Sequence, residues 1–408
     1  MNYAKQHPLP GSIVSGEGVM HEAGAAITQS ESGFLALSYR LISLLLFRAI
    51  LDLSYSFVIS EEFAGEGMGL YSNPLKVGES YFVLFLLALL MPVKHRSFSY
   101  LGAQLLFLFA YIPIQTYYAH NDASRWWFYA CTAFWVCAFL LVRTPFRISV
   151  PATRTSRDLI MIASLFALIA VAFWVRSVVG WSFSLGLEGV YDQREVFGAS
   201  GEGALYYLVP WCAKVLVPLL LLQAVSRRRA VDYLVFAVAL LFGLFFFMSA
   251  GEKNFLFRIP AALLMVWLIS GRFFLERLSL VLCVVVALSL GAYFVLDDLW
   301  LSNLFSRRIF MIPALISFHY YDFFMDRPLM LAGTRLGAIF GEYPYHLPTP
   351  HLIGYYYFGS SEAGANNGIM ADGYMNFGTF GLLLWAVGLV ALLKLGDAVA
   401  RGKDRIIS

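Results

Sequence analysis

The residues best suited to chemistry in this sequence are cations set in otherwise apolar or outward-facing stretches. Arg194 lies in "YDQREVFGASGEG", Arg307 and Arg308 in "SNLFSRRIF", and Arg335 in "LAGTRLGA". A guanidinium near a membrane surface is a natural phosphate ligand, because its planar fork bonds two oxygens at once. The plainer reading of each is a headgroup anchor or an ion pair with a nearby Asp or Glu. Lys214, in "YYLVPWCAKVLVPLL", sits between Pro210 and Pro218 inside an apolar run, where broken backbone is tolerated if it lines a cavity. Glu252, Lys253 and Arg258 surround one turn and either line a polar cavity or cap helices. Arg48 and Asp52 are four apart, close enough to pair on one helix face. His346 and His351 are separated by two prolines and lack an obvious third metal ligand. There is no G-x-S-x-G, P-loop, H-E-x-x-H or C-x-x-C, and no D-x-D triplet; Glu61–Glu62 and Asp297–Asp298 read as helix ends.

The elements that must position these groups are membrane helices. With 60% hydrophobic and only 13% charged residues, the composition is that of a polytopic membrane protein. The four cysteines fall inside apolar runs and imply no disulfide framework, and a net charge of +3 is too small to suggest nucleic acid. The first 33 residues are polar, with no short apolar core followed by a cleavage site, and read as a cytoplasmic tail. A spanning helix needs about 20 mostly apolar residues. Ten such runs are expected in an all-α fold, at roughly 34–58, 80–93, 98–119, 124–142, 159–180, 205–225, 231–249, 255–271, 277–296 and 377–395. Residues 34–408 then form one membrane domain.

Alternate connections are basic: "KHR", "RTPFRISVPATRTSR", "SRRR", "GRFFLER" and the C-terminal tail. The others are acidic or mixed: 60–69, 120–125, 186–203, 249–254 and 297–376. By the positive-inside rule both termini face the cytoplasm and the second set faces outward. The region 297–376 is the one connection of domain-like size, and long loops of this kind are usually functional. Its segment 297–326 is apolar enough to lie along or dip into the membrane surface, with Trp300 and the run His319, Tyr320, Tyr321 suited to the interface. The proline-rich strip 341–359 is not expected to be regular helix. At the end of the region, "ANNGIMADGYMNFGTFG" (365–381) packs four glycines, three asparagines and one carboxylate in front of the last apolar run.

Four stretches, in order, resemble those of bacterial oligosaccharide repeat unit polymerases, the Wzy-type O-antigen polymerases. They are "REVFGASGEGALYYLVPWCAKVLVPLLL" (194–221), "SAGEKNFLFRIPAALLMVWLI" (249–269), "RRIFMIPALISFHYYDFFMDRPLMLAG" (307–333) and "ANNGIMADGYMNFGTFGLLL" (365–384). Where relatives often carry an arginine after the glycine of the second stretch, this chain has Glu252-Lys253.

The resemblance implies a GT-C-like architecture in the bacterial inner membrane and an active periplasmic face. It implies an inverting, metal-independent glycosyltransferase without cofactor, acting on two undecaprenyl-pyrophosphate-linked oligosaccharides. Membrane lipid and a chain-length regulator protein are the further partners. A departing pyrophosphate needs positive charge, which Arg194, Arg307 and Arg308 supply, with Lys214, Lys253, Arg258 and Arg335 as substrate contacts. The acceptor hydroxyl benefits from a base, and Asp372, Glu342 and His319 are available, Asp372 being preferred for its position beside the final helix. Tyr355, Tyr356 and Tyr374 offer rings to sugar faces, and Asn366 and Asn367 offer donors and acceptors. The plainer reading of the stretch is a glycine-rich cap. An O-antigen ligase shares the lipid donor and is the nearest rival; a lipid-linked oligosaccharide flippase is the rival from another class.

Overall fold

In a computed structural model the chain is described over residues 16–91, 97–146, 157–179, 203–227, 230–250, 255–271, 273–334, 337–339 and 341–400, all helix, turn or loop without a strand. Helix α1 runs Gly16–Ser54 and continues through a π turn, Tyr55–Ile59, to Glu62. It is followed by α2 (Pro74–Leu90), α3 (Phe98–Leu106, π turn Phe107–Tyr111, Ile112–His120) and α4 (Arg125–Arg143). Then come α5 (Arg157–Val179), α6 (Gly203–Trp211, π turn Cys212–Leu216, Val217–Arg227), α7 (Ala230–Ala250), α8 (Phe255–Ser270) and α9 (Phe274–Leu296). The last three are α10 (Ser302–Met311 π-wound, then Ile312–Phe324), α11 (Thr349–Phe358) and α12 (Ile369–Ala400).

Seven of these, α1, α3, α4, α5, α6, α9 and α12, hold segments long and apolar enough to cross a membrane. The other three expected runs are helices too, but α2 has 17 residues, α8 has 16, and the apolar part of α7 covers Val231–Phe246. One large apolar core joins α1–α4 to α9, α10 and α12, and a second, smaller one joins α5, α6 and α7.

Contacts sort the helix ends into two sets. At one end Arg40 donates to Glu276 Oε1 (2.9 Å) and to the Met91 carbonyl (2.7 Å), and the Ser99 amide donates to Asp397 (2.9 Å). Lys394 Nζ there holds the Thr144 and Phe146 carbonyls. At the other end Tyr293 donates to Glu62 (2.6 Å), the Tyr71 amide to the His120 carbonyl (2.8 Å), and Arg125 pairs with Glu79 (3.2 Å). The first set leads into the basic connections, the second into the acidic ones. These contacts cover the ends of α1–α4, α9 and α12.

Helix α10 is not another span. It crosses the second end of the bundle, and its buried face repeats every three or four residues as Ser302, Ser306, Phe310, Ala314 and Ser317. Small serines allow close approach, and each hydroxyl finds a partner. Ser302 donates to the Ser289 carbonyl (3.1 Å), Ser306 meets Ser54 (2.7 Å), and Ser317 accepts from Trp127 Nε1 (2.8 Å). Phe310 packs on Phe47 and Phe109, so the helix lies within the bundle rather than over it.

Three of the π turns end just before a proline: Pro113, Pro218 and Pro313. Proline has no N–H for the carbonyl four residues back and its ring pushes that carbonyl aside, so the preceding turn widens. Two expectations are corrected. The strip 341–359 does contain a helix, α11, because Pro350 occupies its first turn, where a missing N–H costs nothing, and Gly359 ends it at φ +68°. The Gly/Asn stretch, expected as a polar connection, is itself helical from Ile369, and it breaks at Phe377 and Gly378, where the expected last run begins.

Candidate functional site

The Gly/Asn stretch bends α12 sharply. Phe377 (φ −137°) and Gly378 (φ 58°, ψ −143°) break the helix, and Gly378 occupies a conformation that side chains rarely adopt. The bend brings Gly373 against Gly381 so tightly that a Cβ on Gly381 would lie 1.8 Å from the Gly373 carbonyl oxygen. The carbonyls freed at the break are taken by a loop. The Leu329 amide donates to Met375 O (2.8 Å), Met330 to Asn376 O (2.9 Å), and Leu331 to Asn376 Oδ1 (3.1 Å). Asp372 clamps the bend from the inside, accepting from Asn367 Nδ2 (3.1 Å) on one oxygen and Trp385 Nε1 (2.9 Å) on the other. Both oxygens of the expected base are thus engaged within the chain.

Beside this bend a chamber of about 470 Å³ opens at the acidic end of the bundle. His319, Tyr321 and Asp322 of α10 form one wall, Asp122 and Ser124 of the α3–α4 connection another, and Tyr357 of α11 a third. Tyr357 stacks on His319 (centroids 4.0 Å, 14°) and donates to Asp322 Oδ2 (2.6 Å). Tyr321 lies flat against Trp126 and Trp127 (5.5 and 5.4 Å), and Tyr374 meets Tyr321 at 5.3 Å. Burial holds the His319 imidazole down at about 4, against the upward pull of the Asp322 carboxylate. The ring is therefore neutral at pH 7, with one nitrogen to donate and one to accept. Lys76 donates to the Asn121 and Ala123 carbonyls (3.2 and 2.8 Å) and lies 3.8 Å from the Asp122 carboxylate of the chamber.

Of the residues singled out from sequence, the structure brings His319 and Tyr374 to this chamber and its wall, and Asp372 and Asn367 to the bend behind it. Tyr374 is buried in the aromatic cluster, whereas Asn366, Tyr355 and Tyr356 are exposed. Arg307 is engaged with Glu66, with Asn303 Oδ1 (2.8 Å) and with the Phe63 ring (4.4 Å). Arg308, its neighbour, is exposed and makes no polar contact among the described residues. Lys214 is exposed on the π turn of α6, away from its packed face of Cys212, Ala213 and Val217. Arg194, Lys253, Arg335 and the side chain of Arg258 lie outside the described residues. His351 is tied to the Ser361 carbonyl (2.7 Å), and His346 is exposed. Deeper in the bundle Arg48 and Asp52 pair as expected (2.8 Å).

Asp322 and Tyr357 were missed from sequence. The signal for Asp322 was present: it follows His319 by three residues, which on a helix puts both on one face. Tyr357 has no such signal, because it arrives from another helix. Comparison of the chain with family models, with curated proteins and with solved structures finds no match.

Proposed function

We propose that the chain is a glycosyltransferase of the bacterial inner membrane that polymerises undecaprenyl-pyrophosphate-linked oligosaccharide repeat units into O-antigen or a related surface polysaccharide. The observation that carries this reading is the chamber at the acidic end of a multi-pass bundle, walled by Tyr321 and Tyr357 and furnished with His319, Asp322 and Asp122. Aromatic faces cover the apolar C–H face of a sugar, and carboxylates with a neutral imidazole satisfy its hydroxyls, the mix that small-molecule sites use. With basic connections facing the cytoplasm, the chamber opens to the periplasm, where lipid-linked repeat units are displayed.

In this reading the growing chain is transferred from its lipid to the non-reducing end of an incoming repeat unit. His319, Asp322 and Tyr357 hold sugar hydroxyls, while Asp372 positions the bend of α12 through Asn367 and Trp385. Arg308 is the exposed cation on α10 available to a lipid headgroup; it lies 11 residues from His319, about 16 Å along the helix. The test is deletion of the gene followed by electrophoresis of the surface polysaccharide. A polymerase leaves glycan carrying a single repeat unit. Complete absence of glycan would instead identify a ligase or a flippase and overturn the reading.

A further inference from the structure

A polar cluster lies deeper in the bundle than the chamber. Arg48 is the middle residue of the apolar span Phe34–Glu62, about 20 Å along the helix from its outer end. It is wholly buried, and polar groups of three helices close around it and Asp52. Arg48 Nε donates to Asp52 Oδ1 and to Thr116 Oγ1 (both 2.8 Å), Nη2 donates to the Gln115 carbonyl (3.0 Å), and both terminal nitrogens reach Ser80 Oγ (3.3 Å). The Tyr81 hydroxyl donates to the other Asp52 oxygen (2.9 Å).

Two side chains of α3 beside this pair are not satisfied. Gln115 is wholly buried and His120 is 7% exposed. Both amide atoms of Gln115 and both ring nitrogens of His120 lack a hydrogen-bond partner among the described residues. His120 Nε2 stops 3.6 Å from Asp52 Oδ1, beyond hydrogen-bonding length, while its ring lies over Tyr55 (5.8 Å, 21°). Bare polar atoms inside an apolar bundle carry the full penalty of desolvation, so such groups are ordinarily completed by a small polar molecule. The chemistry of the site narrows the choice. Arg48 repels a metal ion and Asp52 repels an anion. The Gln115 amide both gives and accepts hydrogen bonds, as an uncharged imidazole does, and water is the small molecule that answers both.

The cluster also adjoins the chamber. His120 is followed by Asn121, whose amide donates to the Tyr55 hydroxyl and the Gly67 carbonyl (both 3.1 Å), and then by Asp122, which lines the chamber. Tyr117, another chamber residue, meets the opposite partner of His120, the Tyr55 ring, edge-on at 6.3 Å. A single ring, Tyr55, therefore links His120 to the chamber wall.

We propose that the polar cluster of α1, α2 and α3 is a water-binding site at mid-span, filled from the chamber past Tyr55. Bound water completes the hydrogen bonds of Gln115 and His120 and hydrates the Arg48–Asp52 pair, which at that depth is otherwise costly to keep ionised. The inference is independent of the polymerase reading.

The test is hydroxyl-radical footprinting of the full chain in lipid nanodiscs, with radicals generated from heavy-oxygen water by X-rays and labelled residues read by mass spectrometry. Such radicals are short-lived, so a buried side chain is labelled only where water adjoins it. Tyr55 and His120 are expected to label about tenfold faster than Phe134 and Phe139, which are buried in the apolar core. Gln115→Leu combined with His120→Phe removes the bare atoms and should bring Tyr55 down to the rate of Phe134; if the pair does not fold, His120→Phe alone should lower the Tyr55 rate. Wild-type labelling of Tyr55 and His120 at the rate of Phe134 overturns the inference without any variant. Unchanged Tyr55 labelling in a folded variant overturns it too, because the water would then not be held by these groups. Labelling suppressed by sodium chloride but not by choline chloride would make the occupant a cation and overturn the assignment to water. None of these outcomes bears on the gene deletion, which tests the polymerase reading alone.

Discussion

Replacing Gly381 with alanine would drive a methyl group into backbone that cannot move aside. The new Cβ would stand 1.8 Å from the Gly373 carbonyl oxygen, 2.7 Å from its carbon and 3.1 Å from Phe377 Cβ. Carbon and oxygen in contact ordinarily sit about 3.3 Å or more apart, so the two halves of α12 must separate by roughly 1.5 Å. No side-chain rotamer relieves the clash, because the obstructing atoms are main chain. Separation would stretch the Asp372–Trp385 bond and undock the loop Leu329–Leu331 from Asn376. Overpacking costs about 1–3 kcal/mol, and one weakened buried hydrogen bond adds about 1 kcal/mol. The expected destabilisation is therefore about 2–4 kcal/mol, with loss of glycan polymerisation. Gly388→Ala is the control on the same helix. Its Cβ meets nothing within 4 Å, so it should be neutral or gain up to about 1 kcal/mol from helix propensity. Thermal unfolding of detergent-purified variants, followed by tryptophan fluorescence, measures both. Equal unfolding temperatures for Gly381→Ala and Gly388→Ala would refute the argument that close approach at the bend requires glycine.

Removing one member of the buried Arg48–Asp52 pair, as in Arg48→Met, should destabilise the protein by about 3–5 kcal/mol in the same assay, and Arg48→Met with Asp52→Leu should recover much of it. Because His319 titrates near 4 in the folded protein and near 6.5 when unfolded, the unfolded chain takes up the proton first as pH falls. The stability contributed by the neutral ring is complete above pH 6.5 and is lost towards pH 4; His319→Gln should flatten that part of the melting-temperature profile, and an unchanged profile would count against the burial argument. Arg308→Ala should shorten the glycan ladder at unchanged unfolding temperature, whereas Arg307→Ala, which breaks a partly exposed pair with Glu66, should lower stability by about 1 kcal/mol or less. Asp372→Asn would turn an amide N–H₂ towards the Asn367 donor or the Trp385 N–H, so polymerisation should fall and Trp385→Phe should reproduce part of the fall; normal ladders from both variants would free the bend from any role in activity.

The helical membrane class and the apolar helices were legible in the sequence, because apolar length is a property of short segments. The pairing of Arg48 with Asp52 was legible for the same reason: four residues make one turn. The prolines that widen α3, α6 and α10 act within a turn or two of themselves. What local pattern misjudged was equally local in origin, since Pro350 forbids a helix interior but suits a first turn, and the start of α11 decides which applies. The site was a different matter. Arg307 and Arg308 are adjacent and alike, yet one is bound to Glu66 across 241 residues and the other is exposed, because successive residues point about 100° apart on a helix and only packing fixes which direction meets a partner. His319 was visible, but the Tyr357 ring against it comes from a separate helix, and Arg327 shares a cavity with Glu342 only because the loop between Phe324 and Thr349 folds back on the bend of α12. Which polar groups meet depends on how helices cross, and crossing depends on contacts between residues far apart in the chain, such as Gly373 with Gly381 and Leu331 with Asn376.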